Sequence, residues 1–252
     1  MKAQARLVVE RDADGRNVVR DLRSMAPITL VPHRSRVRSA NEPALVHLVS
    51  SVTAPLGGDD LELDVVVADG AHLVLRGVAA TLALPGHLPG GSRARVRIEV
   101  GSKASVQFVP EPTVVTARAR HEAELIVELA ASALLRTREV LVLGRAGERP
   151  GSLTSTVRVR RDGGPLLDQS LRIGTPSLDA SAAHLAGRRV LGTEVLCWGE
   201  DPAEPFSHDW WSLVPLARGG SLATSLAGDA VTAQAWLEAA LDVHPGWRSR
   251  VG

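Results

Sequence analysis

The sequence predicts a mainly β protein. A stacked β-coil body, β-helix-like, occupies residues 1–173, and a mixed part with a few C-terminal helices follows over residues 174–252. Three observations carry this reading. The first is a threefold repeat: Val65-x-Val67-x-x-x-Ala71-x-Leu73-x-Leu75, then Ile98-x-Val100-x-x-x-Ala104-x-Val106-x-Phe108, then Val127-x-Leu129-x-x-x-Ala133-x-Leu135-x-Thr137. Its alanines are 33 and 29 residues apart. Apolar residues at every second position lie on one face of a strand. The second observation is the break inside each repeat (Ala68-Asp69-Gly70, Gly101-Ser102-Lys103 and Ala130-Ala131-Ser132), made of small or turn-forming residues suited to a tight bend. A small alanine just after each bend lets neighbouring layers approach closely. Units of this kind bury their faces only against the next unit. The third is a change of character beyond Gly174, where a helix pattern appears.

Taken in order, Arg6–Glu10 and Val18–Leu22 flank Asp12-Ala13-Asp14-Gly15 and predict an opening hairpin. Met25–Arg38 contains Pro27 and Pro32, which restrict it to edge strand or extended loop. Ala44–Val52 reads as a short strand carrying His47, and Pro55-Leu56-Gly57-Gly58-Asp59 as a turn. Pro85–Gly91 must be a loop, and the alternate prolines of Pro110-Glu111-Pro112 hold the chain extended as they close the second unit. Thr156–Arg160 and Leu166–Ile173 surround Asp162-Gly163-Gly164 as another hairpin. Asp179–Leu185 is a short helical candidate, Val190–Trp198 a strand, and Gly199–Pro215 an irregular stretch with Trp210 beside Trp211. Asp229 caps a helix from Ala230 to about Val243, which Pro245-Gly246 stops. Val231, Ala235, Trp236, Leu237 and Leu241 give that helix an apolar stripe.

Composition narrows the function classes. At 44% hydrophobic and 23% charged, the chain has the make-up of a soluble globular protein with a sizeable core. A net charge of +1 gives no general pull toward nucleic acid or anionic membrane. The bases are nearly all arginine, Lys2 and Lys103 being the only lysines, which we read first as codon bias and second as multidentate contacts to a partner. The single Cys197 rules out an internal disulfide and fits a reducing compartment. Met1–Glu10 has no apolar run of signal-peptide length, and no stretch approaches the ~20 apolar residues that span a bilayer. These features predict a cytoplasmic protein.

The search for catalytic chemistry is mostly negative. The eight histidines are all more than ten residues apart, so none forms a close ligand pair. His121-Glu122 lacks the second histidine of a zinc-protease helix. A nucleophile elbow, a phosphate loop and a dinucleotide fingerprint are all missing. Cys197 lies in an apolar strand pattern and reads as packing. Trp210 and Trp211 read as packing, with a sugar platform or partner anchor as the alternative. Asp59, Asp60, Glu111 and Glu139 are the carboxylates at the most constrained positions and read as loop and strand-end groups.

A family resemblance adds what this chemistry does not. Pro55-Leu56-Gly57-Gly58-Asp59, followed by Leu61-x-Leu63-x-Val65 and Gly70-Ala71-x-Leu73, resembles the urease accessory protein D family, called H in some bacteria. The match continues through Ala79-Ala80-Thr81, Pro110-Glu111-Pro112-Thr113, Glu139-x-x-x-Leu143-Gly144-Arg145 and Leu167-Asp168-x-x-Leu171-Arg172. Val46-His47-Leu48 and Leu191-Gly192-Thr193 belong to the same pattern, which spans Arg6 to Leu241 as one domain. Leu82-Ala83-Leu84 departs from it, replacing basic and aromatic residues, and the chain has no tyrosine.

The resemblance implies a non-enzymatic maturation chaperone. Such a protein binds urease apoprotein together with accessory proteins F and G, G being a GTPase, and assists nickel delivery. It holds no tight cofactor, only nickel in transit. Asp59, Asp60, Glu111, Glu139 and Asp168 then become candidates for a nickel route, since weak carboxylate donors pass an ion that a His/Cys site would trap. Val231, Trp236, Leu237 and Leu241 become candidates for holding F, against the alternative that this helix packs on its own β body. The competing function classes are a β-coil carbohydrate-active enzyme, with the carboxylates as acid/base pairs, and a sugar-binding β module using Trp210 and Trp211.

Overall fold

The computed structural model describes residues 1–33, 42–87 and 90–251. The end of the predicted Met25–Arg38 stretch, from residue 34, and residues 88–89 of the Pro85–Gly91 loop lie outside the described residues. The chain opens with the hairpin β1 (Lys2–Arg11) and β2 (Asn17–Arg23), then β3 (Ile28–Pro32) and β4 (Ala44–Ser50). Three coils follow. They are β5 (Asp60–Val67), β6 (His72–Gly77) and β7 (Thr81–Ala83); β8 (Ser92–Val100), β9 (Ser105–Val109) and β10 (Thr113–Val115); and β11 (Arg120–Leu129) with β12 (Leu134–Leu143). The hairpin β13 (Ser152–Arg161) and β14 (Gly164–Ile173) closes the stack. After it come α1 (Pro176–Asp179), β15 (Val190–Cys197), β16 (Phe206–His208), β17 (Trp211–Pro215), β18 (Ser221–Ala227), α2 (Ala230–Asp242) and α3 (Pro245–Val251).

Each coil contributes one strand to each of two facing sheets. The first sheet has the order β14-β13-β11-β8-β5-β1-β2, and its five central strands run parallel. The second has the order β16-β17-β18-β15-β12-β9-β6-β4-β3, parallel from β12 to β4. A short third face joins β7, β10 and the end of β12. The sequence repeat is the pairing register itself. Val65, Ile98 and Val127 stand side by side, as do Leu73, Val106 and Leu135 on the opposite sheet. The third column is Leu75, Phe108 and Thr137, so the one polar residue of the repeat is buried in an apolar column.

The bends stack as well. Gly101 N–H donates to Val67 O at 2.8 Å, and Ala130 N–H to Val100 O at 2.9 Å. Ala71, Ala104 and Ala133 close the three bends at equivalent positions and are all buried. Gly101 has no room for a side chain, since a Cβ there would fall 2.3 Å from Asp69 Oδ1. The two inner faces pack into one core that includes Leu7, Leu63, Leu75, Ile98, Val106 and Leu135. A parallel sheet buries both faces only when something covers its outside. Here α2 covers the second sheet, while the first sheet meets solvent with charged residues.

Those charges alternate by strand. Arg95 on β8 bonds Glu62 on β5 at 2.8 Å and Glu124 on β11 at 2.6 Å, and Arg158 on β13 reaches Glu124 at 2.5 Å. Arg95 and Arg158 thus spend their guanidinium donors on contacts within the chain.

The C-terminal part departs from several expectations. The single helical turn α1 precedes the predicted Asp179–Leu185, because Pro176 starts the turn and Asp179 folds back to accept from Gly174 N–H at 2.9 Å. Gly199–Pro215 is not all irregular, for β16 and β17 form a hairpin on the sheet edge. Asp229 caps α2 as predicted, accepting from Thr232 N–H at 2.8 Å. The helix ends at Asp242, and Pro245 stands at the first position of α3. Gly192 admits α2 against the sheet, where a Cβ would lie 2.9 Å from Leu237 Cδ1.

Candidate functional site

Between the two sheets lies a cavity of about 390 Å³. On the first sheet its wall is built of inward rows that follow from strand alternation: Leu61, Ala94 and Ala123, then Leu63, Val96, Leu125 and Val157. Leu48 and Phe108 face it from the second sheet. Three carboxylates are among its lining residues, Glu111, Glu124 and Glu139, and of these Glu124 is held by Arg95 and Arg158.

Glu139 points inward because β12 alternates: Leu135, Thr137, Glu139 and Leu141 share the inner face, and Arg136 and Arg138 the outer one. Ser155 Oγ lies 2.8 Å from both of its carboxyl oxygens. No arginine or lysine pairs with it among the described residues. Burial therefore pushes the Glu139 carboxyl up, with the Ser155 hydroxyl opposing. Glu111 sits in the extended segment between β9 and β10. Gly77 lets it approach, since a Cβ there would stand 2.5 Å from Glu111 N.

At the start of the first sheet the inner face turns polar. Asp59, Ser92 and His121 form the row that closes the cavity, and all three are buried. His121 Nδ1 is 2.9 Å from Ser92 Oγ. Burial pushes its imidazole down to about 4, against smaller opposing contributions from Ser92 and Glu122. Outside this row lies a groove of about 480 Å³, lined by Asp60, Arg93, Arg120, Glu122 and Thr154 among others.

The predicted carboxylates thus divide. Glu111 and Glu139 share the cavity, and Asp60 lines the outer groove. Asp59 also borders the groove, but both its oxygens are occupied. One lies 2.8 Å from the Met1 ammonium and the other accepts from Leu56 N–H at 2.8 Å. Asp168 is apart from the rest, exposed on the outer face of β14, where Arg158 approaches to 3.5 Å. The helix stripe divides too. Leu237 and Leu241 are buried in the chain's own core, Trp236 packs partly against it, and Val231 is 76% exposed. Val231 lies on a different side of the helix from the leucines, because the core-facing set is Ala233, Leu237, Ala240 and Leu241.

Trp210 lies under Arg188, whose guanidinium carbon is 3.6 Å from the ring centroid, and Trp211 stacks on Phe206 and His208. They do not make one flat platform.

Two features escaped the sequence reading. One is His121, set aside as an isolated histidine; its inward alternation with Ala123, Leu125 and Val127 was the available signal. The other is a buried ion network on the outer face of the second sheet. Glu194 on β15 bonds the Arg136 guanidinium and, at 2.9 Å, that of Arg138; Glu238 on α2 bonds Arg138 at 2.6 Å. Burial pushes the Glu194 carboxyl up, and the two guanidinium groups oppose it. Among the described residues no group of three or more His, Cys, Asp or Glu side chains is placed to hold a metal ion. No helix among them is long and apolar enough to cross a membrane.

The model of the UreD urease accessory protein family matches residues 1–251. This chain belongs to the UreD family. It is 58% identical over 245 residues to urease accessory protein UreD 1 of Saccharopolyspora erythraea, covering 97% of this chain and 96% of that protein. Identity to urease accessory protein UreD of Parafrankia sp. is 39% over 271 residues, with 98% and 90% covered. For the Streptomyces coelicolor protein of the same name it is 36% over 247 residues, with 96% of each chain covered. The Gly-Gly-Asp motif that carries the resemblance is, in this UreD-family chain, the turn that Asp59 ties to Leu56. Gly57 packs there against Gly86, so tightly that a Cβ would lie 2.8 Å from Gly86 N.

Proposed function

We propose that this chain is a non-enzymatic urease-maturation protein that binds urease apoprotein together with accessory proteins F and G and lets nickel pass through its interior. The observation that carries the reading is Glu139: a carboxyl group without a cationic partner, kept between two packed sheets beside a cavity of about 390 Å³. A lone carboxyl in such a place costs stability. A passing cation gives it a purpose, and Glu111 on the same cavity gives that cation a second oxygen donor. The stacked coils supply a rigid wall, and weak oxygen donors suit transit better than tight ones. The exposed start of α2, at Val231, is the part of the helix stripe available to F.

Glu139→Gln keeps the shape and most of the hydrogen bonding but removes the charge. The expected result is a variant that still assembles with F, G and urease apoprotein, while the urease activated in that mixture contains less nickel by metal analysis. Normal nickel content would remove Glu139 from the route, and loss of assembly would make it a structural residue.

A further inference from the structure

The first sheet ends in a long unpaired edge. β14 bonds β13 on one side and, among the described residues, no strand on the other, so every second N–H and C=O of its backbone points away from the sheet. Other described sheet ends are short or broken: β16 has three residues, β3 has five, and a bulge interrupts the pairing of β2 with β1. The bulge in the β13–β14 ladder lies at the start of β14, opposite Val159 and Arg160, and leaves residues 167–173 in regular register. We propose that this edge pairs with the same edge of a second copy of the chain, antiparallel about a two-fold axis through Ser170, joining two first sheets into one. The pairing needs neither nickel nor the interior cavity, so it goes beyond the transit reading and stands apart from it.

Charge and alternation select that register. Along β14, Leu167, Gln169, Leu171 and Ile173 face inward, while Asp168, Ser170 and Arg172 face solvent. An antiparallel pairing centred on any residue sets inward side chains against inward ones. Only the pairing centred on Ser170 also sets Asp168 against the partner's Arg172, and Arg172 against the partner's Asp168. Both charges are available for this. Asp168 is 67% exposed, with Arg158 no closer than 3.5 Å, and Arg172 is exposed and makes no ion pair among the described residues. On the inner face the half-buried Leu167 meets the partner's Ile173, so the core-facing row continues across the axis. At the axis itself Ser170, whose hydroxyl lies 3.2 Å from Thr156 Oγ1, is small enough to stand opposite its own copy. No lysine or proline interrupts residues 167–173, and the two charges leave the plane of the sheet, so the backbone donors stay open to a partner.

Sedimentation velocity on the full chain over a range of concentrations should show a monomer–dimer equilibrium. Asp168→Arg and Arg172→Asp each set like charges opposite one another, and each variant alone should dimerise at least about tenfold more weakly. An equimolar mixture of the two should recover the dimer, because each arginine of one chain then faces an aspartate of the other. The double swap within one chain should recover it as well. A wild-type chain that stays monomeric at every concentration overturns the proposal. So does a dimer that either single variant leaves intact, or one that the mixture fails to restore. A second measurement covers charge variants that fail to fold. Ser170→Cys places two thiols across the axis, where opposed residues of an antiparallel pair stand about 4.5–5.5 Å apart at Cα, within disulfide reach. Mild oxidation should link two chains through residue 170, while the wild type, whose Cys197 is buried, stays unlinked. A Ser170→Cys chain that stays unlinked overturns the register.

Discussion

Glu139 and Glu194 lie on adjacent strands of the second sheet, one facing inward and the other outward, and their surroundings differ in kind. Glu194 is enclosed by the guanidinium groups of Arg136 and Arg138, with Glu238 of α2 completing the network and Trp247 stacked 4.6 Å from the Arg136 guanidinium. Glu139 has a serine hydroxyl and a cavity. A buried charge with matched partners fixes one helix on one sheet. A half-buried carboxyl held only by Ser155 ties no such pair of elements together.

The comparison breaks most visibly on the outer face. Glu194→Gln leaves two buried arginines facing a neutral amide, and removing one partner of a buried ion network costs about 3–5 kcal/mol. Chemical denaturation should read a loss of that size, with α2 releasing first in hydrogen exchange. A loss below about 1 kcal/mol would mean that the network is ornamental and α2 is held by Leu237 and Leu241 alone.

Acid acts on the inner face next. The folded-state imidazole of His121 lies near 4, below its ordinary 6.5. The unfolded chain therefore binds the extra proton first, and stability falls as pH drops from about 6.5 to about 4. The full effect is roughly 3 kcal/mol. His121→Gln should flatten this part of the pH–stability curve. An unchanged curve in the His121 variant would remove the burial argument.

The smallest effect has the opposite sign. Because burial raises the Glu139 carboxyl, the folded state holds its proton to higher pH than the unfolded state does. Its contribution to stability therefore falls as pH rises through the ordinary carboxylate range. Glu139→Gln should melt higher than wild type at pH 8, and the gain should vanish by pH 4. A variant less stable than wild type at pH 8 would place Glu139 with Glu194, as a group that the fold needs.

The sequence by itself determined the coil stack. Its alternation and its spaced alanines are local properties, and strand geometry turns them into a register: Val65, Ile98 and Val127 align because each stands the same distance before a bend. The same alternation already turned Glu139 and His121 inward. What covers each face was decided only by the tertiary structure. Nothing local to Arg138 marks its partner, for it finds Glu238 100 residues away, on a helix that folds back over the sheet. Val231 read as part of a helix stripe, yet the contact with that sheet selected a different face, through Ala233, Leu237, Ala240 and Leu241. Asp59, Glu139 and Asp168 are alike as sequence signals, carboxylates at strand ends and turns. Their fates (a tied turn, a lone group beside a cavity, an exposed ion pair) depend on which distant charge arrives beside them, and chain periodicity carries no record of that.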